Sequence, residues 1–234
     1  MTCAALVTAG GYGERMGSSI PKQYLDLEGI PVIVRTLFAF IGHSQIARIV
    51  LTVPPGDEDY CRERILHPFK LDMAVEIVAG GLNRQASVYN GLQKLADTVI
   101  VVIHDGVRPL VTSEIITNTI RAARSSGAAL ACVPVRETVK KKNGPYLETI
   151  SRSDLWLAHT PQTFRTALII QAHKKALDEG FTGTDDAALV ERMGKPVTVV
   201  EDSQENIKIT TPEDLDFASM LLRRNDMVRS HTNA

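Results

Sequence analysis

The stretch "AALVTAGGYGERMGSSIPKQYLDL", residues 4–27, decides the fold class. A run of small and β-branched residues ends on Gly10, Gly11 and Gly13, and two cations, Arg15 and Lys22, follow seven residues apart. The apolar run reads as a strand covered on both faces, because no polar residue alternates through it. Glycines directly after such a strand let the backbone approach a phosphate or a base and turn its N–H groups toward it. Two familiar phosphate loops do not fit. A Walker A loop needs lysine directly after its last glycine, but Gly17 is followed by Ser18. The dinucleotide fingerprint finds Gly11 and Gly13 but meets Met16 where its third glycine belongs. What remains is a loop whose cations bracket the stiffening Pro21. Two cations beside exposed amides suit a group with several negative charges, and suit still better a leaving group that gains charge, such as pyrophosphate.

Outward from this loop, short apolar runs alternate with amphipathic ones. "CAALVTA" (3–9), "RIVLTV" (48–53), "MAVEIVA" (73–79), "TVIVVIH" (98–104) and "AALACVPV" (128–135) read as strands. "PVIVRTLFAFIG", "DEDYCRERILH", "RQASVYNGLQKLA" and "TSEIITNTIRAARSSG" read as helices, the last with Ile115, Ile116, Thr119, Ile120 and Ala123 on one face and Gly127 at the C-cap. After residue 163 come two further helices, the strand "PVTVVE" and a C-terminal helix opened by Thr211 and Pro212. Strand–helix alternation of this kind predicts a doubly wound α/β fold with a mostly parallel, Rossmann-like sheet. The reading gives one domain over 1–225 and an unstructured tail over 226–234.

The rhythm breaks at "VRETVKKKNGPYLETISR" (135–152), where weak strands flank Asn143-Gly144, a hairpin signal. With Lys140, Lys141 and Lys142 and few apolar residues, this hairpin cannot build its own core and should project from the body or pack on another subunit.

A formal net charge of −1 over 234 residues gives no whole-chain attraction to nucleic acid or to an anionic membrane surface, so any anion site is local. The three cysteines, Cys3, Cys61 and Cys132, lack CxxC spacing and fit a reducing, cytoplasmic setting. No apolar run approaches the length of a membrane span. Neither His104 nor His159 has partners at metal-ligand spacing, and no set suited to a covalent intermediate stands out.

The opening loop resembles the nucleotidyltransferase signature of sugar-nucleotide pyrophosphorylases and alditol-phosphate cytidylyltransferases, and its Pro-Lys-Gln ending narrows it to the latter. "GGLNRQASV" (80–88), "HDGVRP" (104–109), "PVRETVK" (134–140), "LWLAHTPQTF" (155–164), "TDDAALVE" (184–191) and "ENIKITTPEDL" (205–215) extend the likeness to the methylerythritol phosphate cytidylyltransferases, in family order from about residue 3 to 222.

That resemblance implies cytidylyl transfer from CTP to an alditol phosphate, with Mg²⁺ held mainly by the CTP phosphates. It implies that Ala9, Gly10, Gly11, Gly81 and Ser87 hold the nucleotide, and that Arg15 and Lys22 stabilise the reacting phosphorus and the departing pyrophosphate. Asp105, Arg108, Thr160, Thr184 and Lys208 would contact the acceptor, Asp105 with an influence on the metal. Thr138 and Arg152, on the hairpin, would complete the acceptor site of a second subunit in a homodimer. Three departures stand out: Gly10 in place of a usual alanine, Leu82 where a small or acidic residue is common, and Gly106-Val107 in place of Ala-Ala. Two rivals stay open at this stage. One is a ribitol-phosphate cytidylyltransferase; the other is a catalytically silent nucleotide-sensing subunit, which would be free to lose Arg15 and Lys22.

Overall fold

The computed structural model describes residues 2–11 and 20–232. Seven strands form one sheet in the order β11-β7-β10-β6-β1-β4-β5. They are β1 (Cys3–Thr8), β4 (Ile46–Val53), β5 (Glu76–Ala79), β6 (Ile100–Asp105), β7 (Ala128–Pro134), β10 (Trp156–Arg165) and β11 (Thr198–Glu201). All pairings are parallel except those of β10, which runs antiparallel between β6 and β7. The mainly parallel α/β sheet expected from the alternation is therefore present. A two-residue ladder, β2 (Asp26–Leu27) with β3 (Ile30–Pro31), sits apart.

The strands earn their unbroken apolar character by facing two cores. In β1, Cys3, Ala5 and Val7 enter one cluster while Ala4 and Leu6 enter the other. In β6, Ile100 and Val102 divide from Val101 and Ile103 in the same way, as the period-two side-chain alternation requires. The first core is closed by α1 (Val32–Phe38) and α4 (Ser113–Ser126). The second is closed by α3 (Arg84–Gln93), α5 (Thr166–Asp178) and α6 (Asp186–Arg192). Helix α4 begins where Thr112 accepts a hydrogen bond from the Ile115 amide and ends at Gly127, which has φ +97°, as its pattern predicts.

Three elements differ from expectation. The segment read as one helix over 57–67 is a single turn, α2 (Glu58–Tyr60), continued by a π-helical stretch to Leu66 and a 3₁₀ turn over His67–Phe69 around Pro68. Strand β10 was not expected, because His159, Thr160, Pro161 and Gln162 interrupt its apolar pattern; its register with β7 shifts between Ala158 and Gln162, at the proline. Finally α7 (Pro212–Thr232) runs through most of the segment read as an unstructured tail: no glycine or proline in residues 225–232 interrupts it. Its start is a reciprocal cap, with the Thr211 amide donating to Asp214 Oδ2 at 2.9 Å and the Asp214 amide to Thr211 Oγ1 at 3.4 Å.

The hairpin forms as β8 (Val139–Asn143) and β9 (Tyr146–Ile150), which among the described residues pair only with each other. The tight turn is one residue later than Asn-Gly suggests: Gly144 and Pro145 occupy its centre, and Gly144 supplies φ +58°. No helix among the described residues is long and apolar enough to cross a membrane.

Candidate active site

The chain leaves β1 for β4 and β5 and then returns to lay β6 on the other side of β1, a switch point that opens a crevice at the carboxyl ends of parallel strands. A cavity of about 880 Å³ lies there. Thr8 ends β1 and residues 9–11 follow it, Pro55 follows β4, residues 80–84 and Ser87 follow β5, and Asp105 ends β6 with Val107 just beyond. Lys22, Gln23, Lys208 and Thr210 complete the wall. Of the residues expected from sequence, Ala9, Gly10, Gly11, Lys22, Gly81, Ser87, Asp105 and Lys208 line this one cavity.

The two glycine-containing loops meet over Ser87. Its hydroxyl donates to the Asn83 carbonyl at 2.9 Å and accepts from the Gly81 amide at 3.0 Å. A Cβ on Gly10 or on Gly80 would come within 2.9 Å of that hydroxyl oxygen, so close approach is what excludes a side chain at these positions. Gln23 ties the opposite wall down, its Nε2 donating to the Ala9 carbonyl at 2.8 Å.

At the floor, Asp105 gathers three cations. Arg84 Nε lies 3.1 Å from Oδ1, Lys208 Nζ 2.8 Å from Oδ2 and Arg108 Nε 3.8 Å from Oδ2. Burial alone would raise the Asp105 pKa; Arg84, Lys208 and Arg108 reverse this and hold it well below the usual carboxylate range. Arg84 in turn reaches the buried Asp186, with Nη1 2.8 Å from Oδ2. Burial opposes its charge, but Asp186 and Asp105 outweigh that and raise its pKa. Arg108 is buried, does not line the cavity, and donates to the Asn206 carbonyl at 2.6 Å. Its place is behind Asp105, off the cavity wall.

Below Asp105, His104 fills an enclosed position with its protonation state written in its partners. Nε2 lies 3.1 Å from the Arg108 carbonyl, which can only accept, so the proton is on Nε2. Nδ1 then accepts from the Thr160 hydroxyl at 2.9 Å, and that hydroxyl oxygen accepts the Asp105 amide at 3.1 Å. Thr160 is therefore a buried support for Asp105, not a residue of the cavity wall. Burial lowers the His104 pKa from 6.5 to about 4. A folded-state pKa below the unfolded one means the unfolded chain takes up a proton first. The stabilisation is complete above pH 6.5 and is lost as pH falls toward about 4, amounting to roughly 3 kcal/mol. Urea midpoints measured across this window should fall steeply for the native chain and less for His104→Gln; parallel slopes would remove His104 from the account.

A family model described as IspD, 2-C-methyl-D-erythritol 4-phosphate cytidylyltransferase, matches residues 3–224. The chain belongs to this family. It is 48% identical over 223 residues to the 2-C-methyl-D-erythritol 4-phosphate cytidylyltransferase of Geobacillus kaustophilus, covering 95% of this chain and 97% of that one. The Syntrophus aciditrophicus protein of the same name is 48% identical, with 95% and 96% covered. Among solved structures, the Thermus thermophilus cytidylyltransferase superposes with a TM-score of 0.80 at 34% identity, covering 95% of this chain and all of that one. The 4-diphosphocytidyl-2C-methyl-D-erythritol synthase of Anaerococcus prevotii gives 0.82 at 32%, with 95% and 96% covered.

For a member of the IspD family, the remaining expected residues divide cleanly. Arg15 lies outside the described residues. Thr184 is exposed and does not line the cavity. Thr138 and Arg152 are exposed at the base of the β8–β9 hairpin, and Arg152 Nη1 donates to the Arg136 carbonyl. Neither belongs to this chain's own cavity. Sequence reasoning passed over Arg84 and Gln23. Arg84 had a usable signal: Asn83 caps α3, its side chain accepting from the Ala86 amide at 2.8 Å, so Arg84 is the first helical residue beside a glycine loop.

Proposed function

We propose that the cavity binds CTP and the phosphate of 2-C-methyl-D-erythritol 4-phosphate, joins them into the cytidylyl product and releases pyrophosphate, a step of non-mevalonate isoprenoid precursor synthesis. The observation that carries this reading is one cavity lined both by close-approach backbone (Ala9–Gly11 and Gly80–Gly81) and by three cations, Lys22, Arg84 and Lys208. The acceptor phosphate oxygen attacks the α-phosphorus in line. A phosphate monoester with a second pKa near 6 is already a nucleophile at neutral pH, so no strong base is needed. Asp105, engaged by three cations, is not arranged as one. The chain's contribution is orientation and fixed positive charge: Lys208 and Arg84 draw in the acceptor, and Lys22, with Arg15 by family resemblance, meets the charge that leaves.

The described residues include no group of three metal-ligating side chains, and the oxygens of Asp105 already face cations. These side chains do not fit a protein-held ion. We take the nucleotide substrate to be the magnesium complex of CTP, with the metal carried by the triphosphate. We further propose a homodimer in which the β8–β9 arm brings Thr138 and Arg152 to the neighbouring acceptor site, working in the cytoplasm, where three free cysteines are at home.

Pyrophosphate release with CTP, Mg²⁺ and each of two acceptors, methylerythritol phosphate and ribitol phosphate, tests the reading. Release with the first and little with the second is expected; the reverse preference would reassign the acceptor, and no release with either would overturn the reaction. CTP should also exceed UTP in kcat/KM by a large factor, on the order of 10⁴, because groups built to pair with the cytosine amine are left unpaired by uracil. Comparable values for the two nucleotides would mean that the loops over Ser87 do not read the base.

A further inference from the structure

We infer that Asp186 and His173, which lie outside the cavity, are positioning residues that hold Arg84 against Asp105. This rests on the reaction proposed above. The contacts form an unbroken chain. His173 Nε2 lies 3.2 Å from Asp186 Oδ1, Asp186 Oδ2 lies 2.8 Å from Arg84 Nη1, and Arg84 Nε lies 3.1 Å from Asp105 Oδ1. The side chains of His173 and Asp186 are each 1% exposed, and that of Arg84 is 29% exposed, opening to the cavity.

A guanidinium on a long flexible stem is fixed in plane only when both of its edges are engaged. Here one edge faces the carboxylate that organises Lys208 and the other faces Asp186. Without Asp186, Arg84 keeps a single anchor and Asp105 Oδ1 loses a fixed donor. Asp186 is itself over-determined, as a positioning element must be. The start of α6 is pinned by Gln162, which accepts from the Ala187 amide at 2.9 Å and donates to Asp185 at 2.8 Å. The loop before it is latched to α3 by Gln85, which donates to the Phe181 carbonyl at 3.0 Å and accepts from the Gly183 amide at 2.9 Å. His173 is held from the same helix as Arg84, its ring stacked on Tyr89 with centroids 5.9 Å apart and planes at 17°. Helix α3 is thus gripped twice by the α5–α6 pair, once through each of these residues.

A double-mutant cycle tests this. Asp186→Asn should lower kcat about tenfold, while the Kd for CTP measured without acceptor moves less than about threefold. Arg84→Gln should lower kcat further, and adding Asp186→Asn to it should cost no more. A double variant in which the two losses multiply would show that Asp186 does not act through Arg84 and would overturn the inference, as would a normal kcat for Asp186→Asn. If Asp186→Asn does not fold, His173→Gln, which keeps a donor at the Nε2 position, should retain activity that His173→Leu loses; equal effects would overturn it. Should the native chain itself release no pyrophosphate, the reaction fails but the positioning does not stand or fall with it. Solvent exchange of the Arg84 Nε–H, followed by NMR, should then be at least about tenfold faster in Asp186→Asn or His173→Leu. Unchanged exchange would overturn the positioning role.

Discussion

Replacing Lys22 with alanine is expected to lower kcat by about 10²–10³-fold, or about 2.7–4 kcal/mol of barrier, with a much smaller rise in the KM for CTP. The side chain stands on a short 3₁₀ turn, Lys22–Tyr24, that is fixed on two sides. Gln23 donates to the Ala9 carbonyl at 2.8 Å across the mouth of the glycine loop, and the Tyr24 hydroxyl donates to Asp57 at 3.4 Å while its ring meets Tyr60. A cation on such a mounting needs no reorganisation when charge builds on the leaving pyrophosphate, which is where fixed electrostatics act most strongly. A ground-state contact with CTP would instead raise KM and spare kcat. Steady-state kinetics of Lys22→Ala with both substrates varied separates the two, and a near-normal kcat with weakened CTP binding would reassign Lys22 to binding alone.

The parts of this fold that could be read from sequence are those where one force dominates. Strands β1, β4 and β6 are apolar on both sides because both sides are covered, and a continuous apolar run ended by glycine, proline or aspartate is hard to mistake. Helix α4 announces its face, its cap and its stop. Strand β10 could not be seen this way. Its polar centre exists because Thr160 supports Asp105 and His104, and because Gln162 accepts from the Ala187 amide at the start of α6, so the side chains serve neighbours distant in sequence. The same holds for the site. Glycines and cations after β1 were legible because the chemistry needs them adjacent in the chain. Arg84, Asp186 and His173 meet only after folding, and each alone is an ordinary polar residue on a helix. Asp186 is an acid in the first turn of α6, and its partner on α3 cannot be read from spacing.

The largest test of architecture lies in the arm. Among the described residues, strands β8 and β9 pair with no other strand, Tyr146 and Leu147 are 77% and 67% exposed near the tip, and Thr138 and Arg152 stand at the base, away from this chain's own cavity. An isolated two-stranded hairpin is at best marginally stable in water, and the homodimer proposed above would give this one its support. Arg152, whose guanidinium can bind a phosphate through two parallel N–H donors, would then grip the acceptor in the neighbouring site, where Lys22 of that neighbour meets the nucleotide. Mixing an Arg152→Ala chain with a Lys22→Ala chain distinguishes shared from separate sites. If sites are shared, a mixed dimer collects both lesions in one site and leaves the other whole. Two nearly inactive preparations should together recover about one quarter of native activity, since random exchange makes about half the dimers mixed and each has one working site. If every chain keeps its own site, each site in the mixture still carries one lesion. No recovery in samples shown by native mass spectrometry to contain mixed dimers would rule out the shared-site arrangement, and the arm would then be a support for the dimer and nothing more.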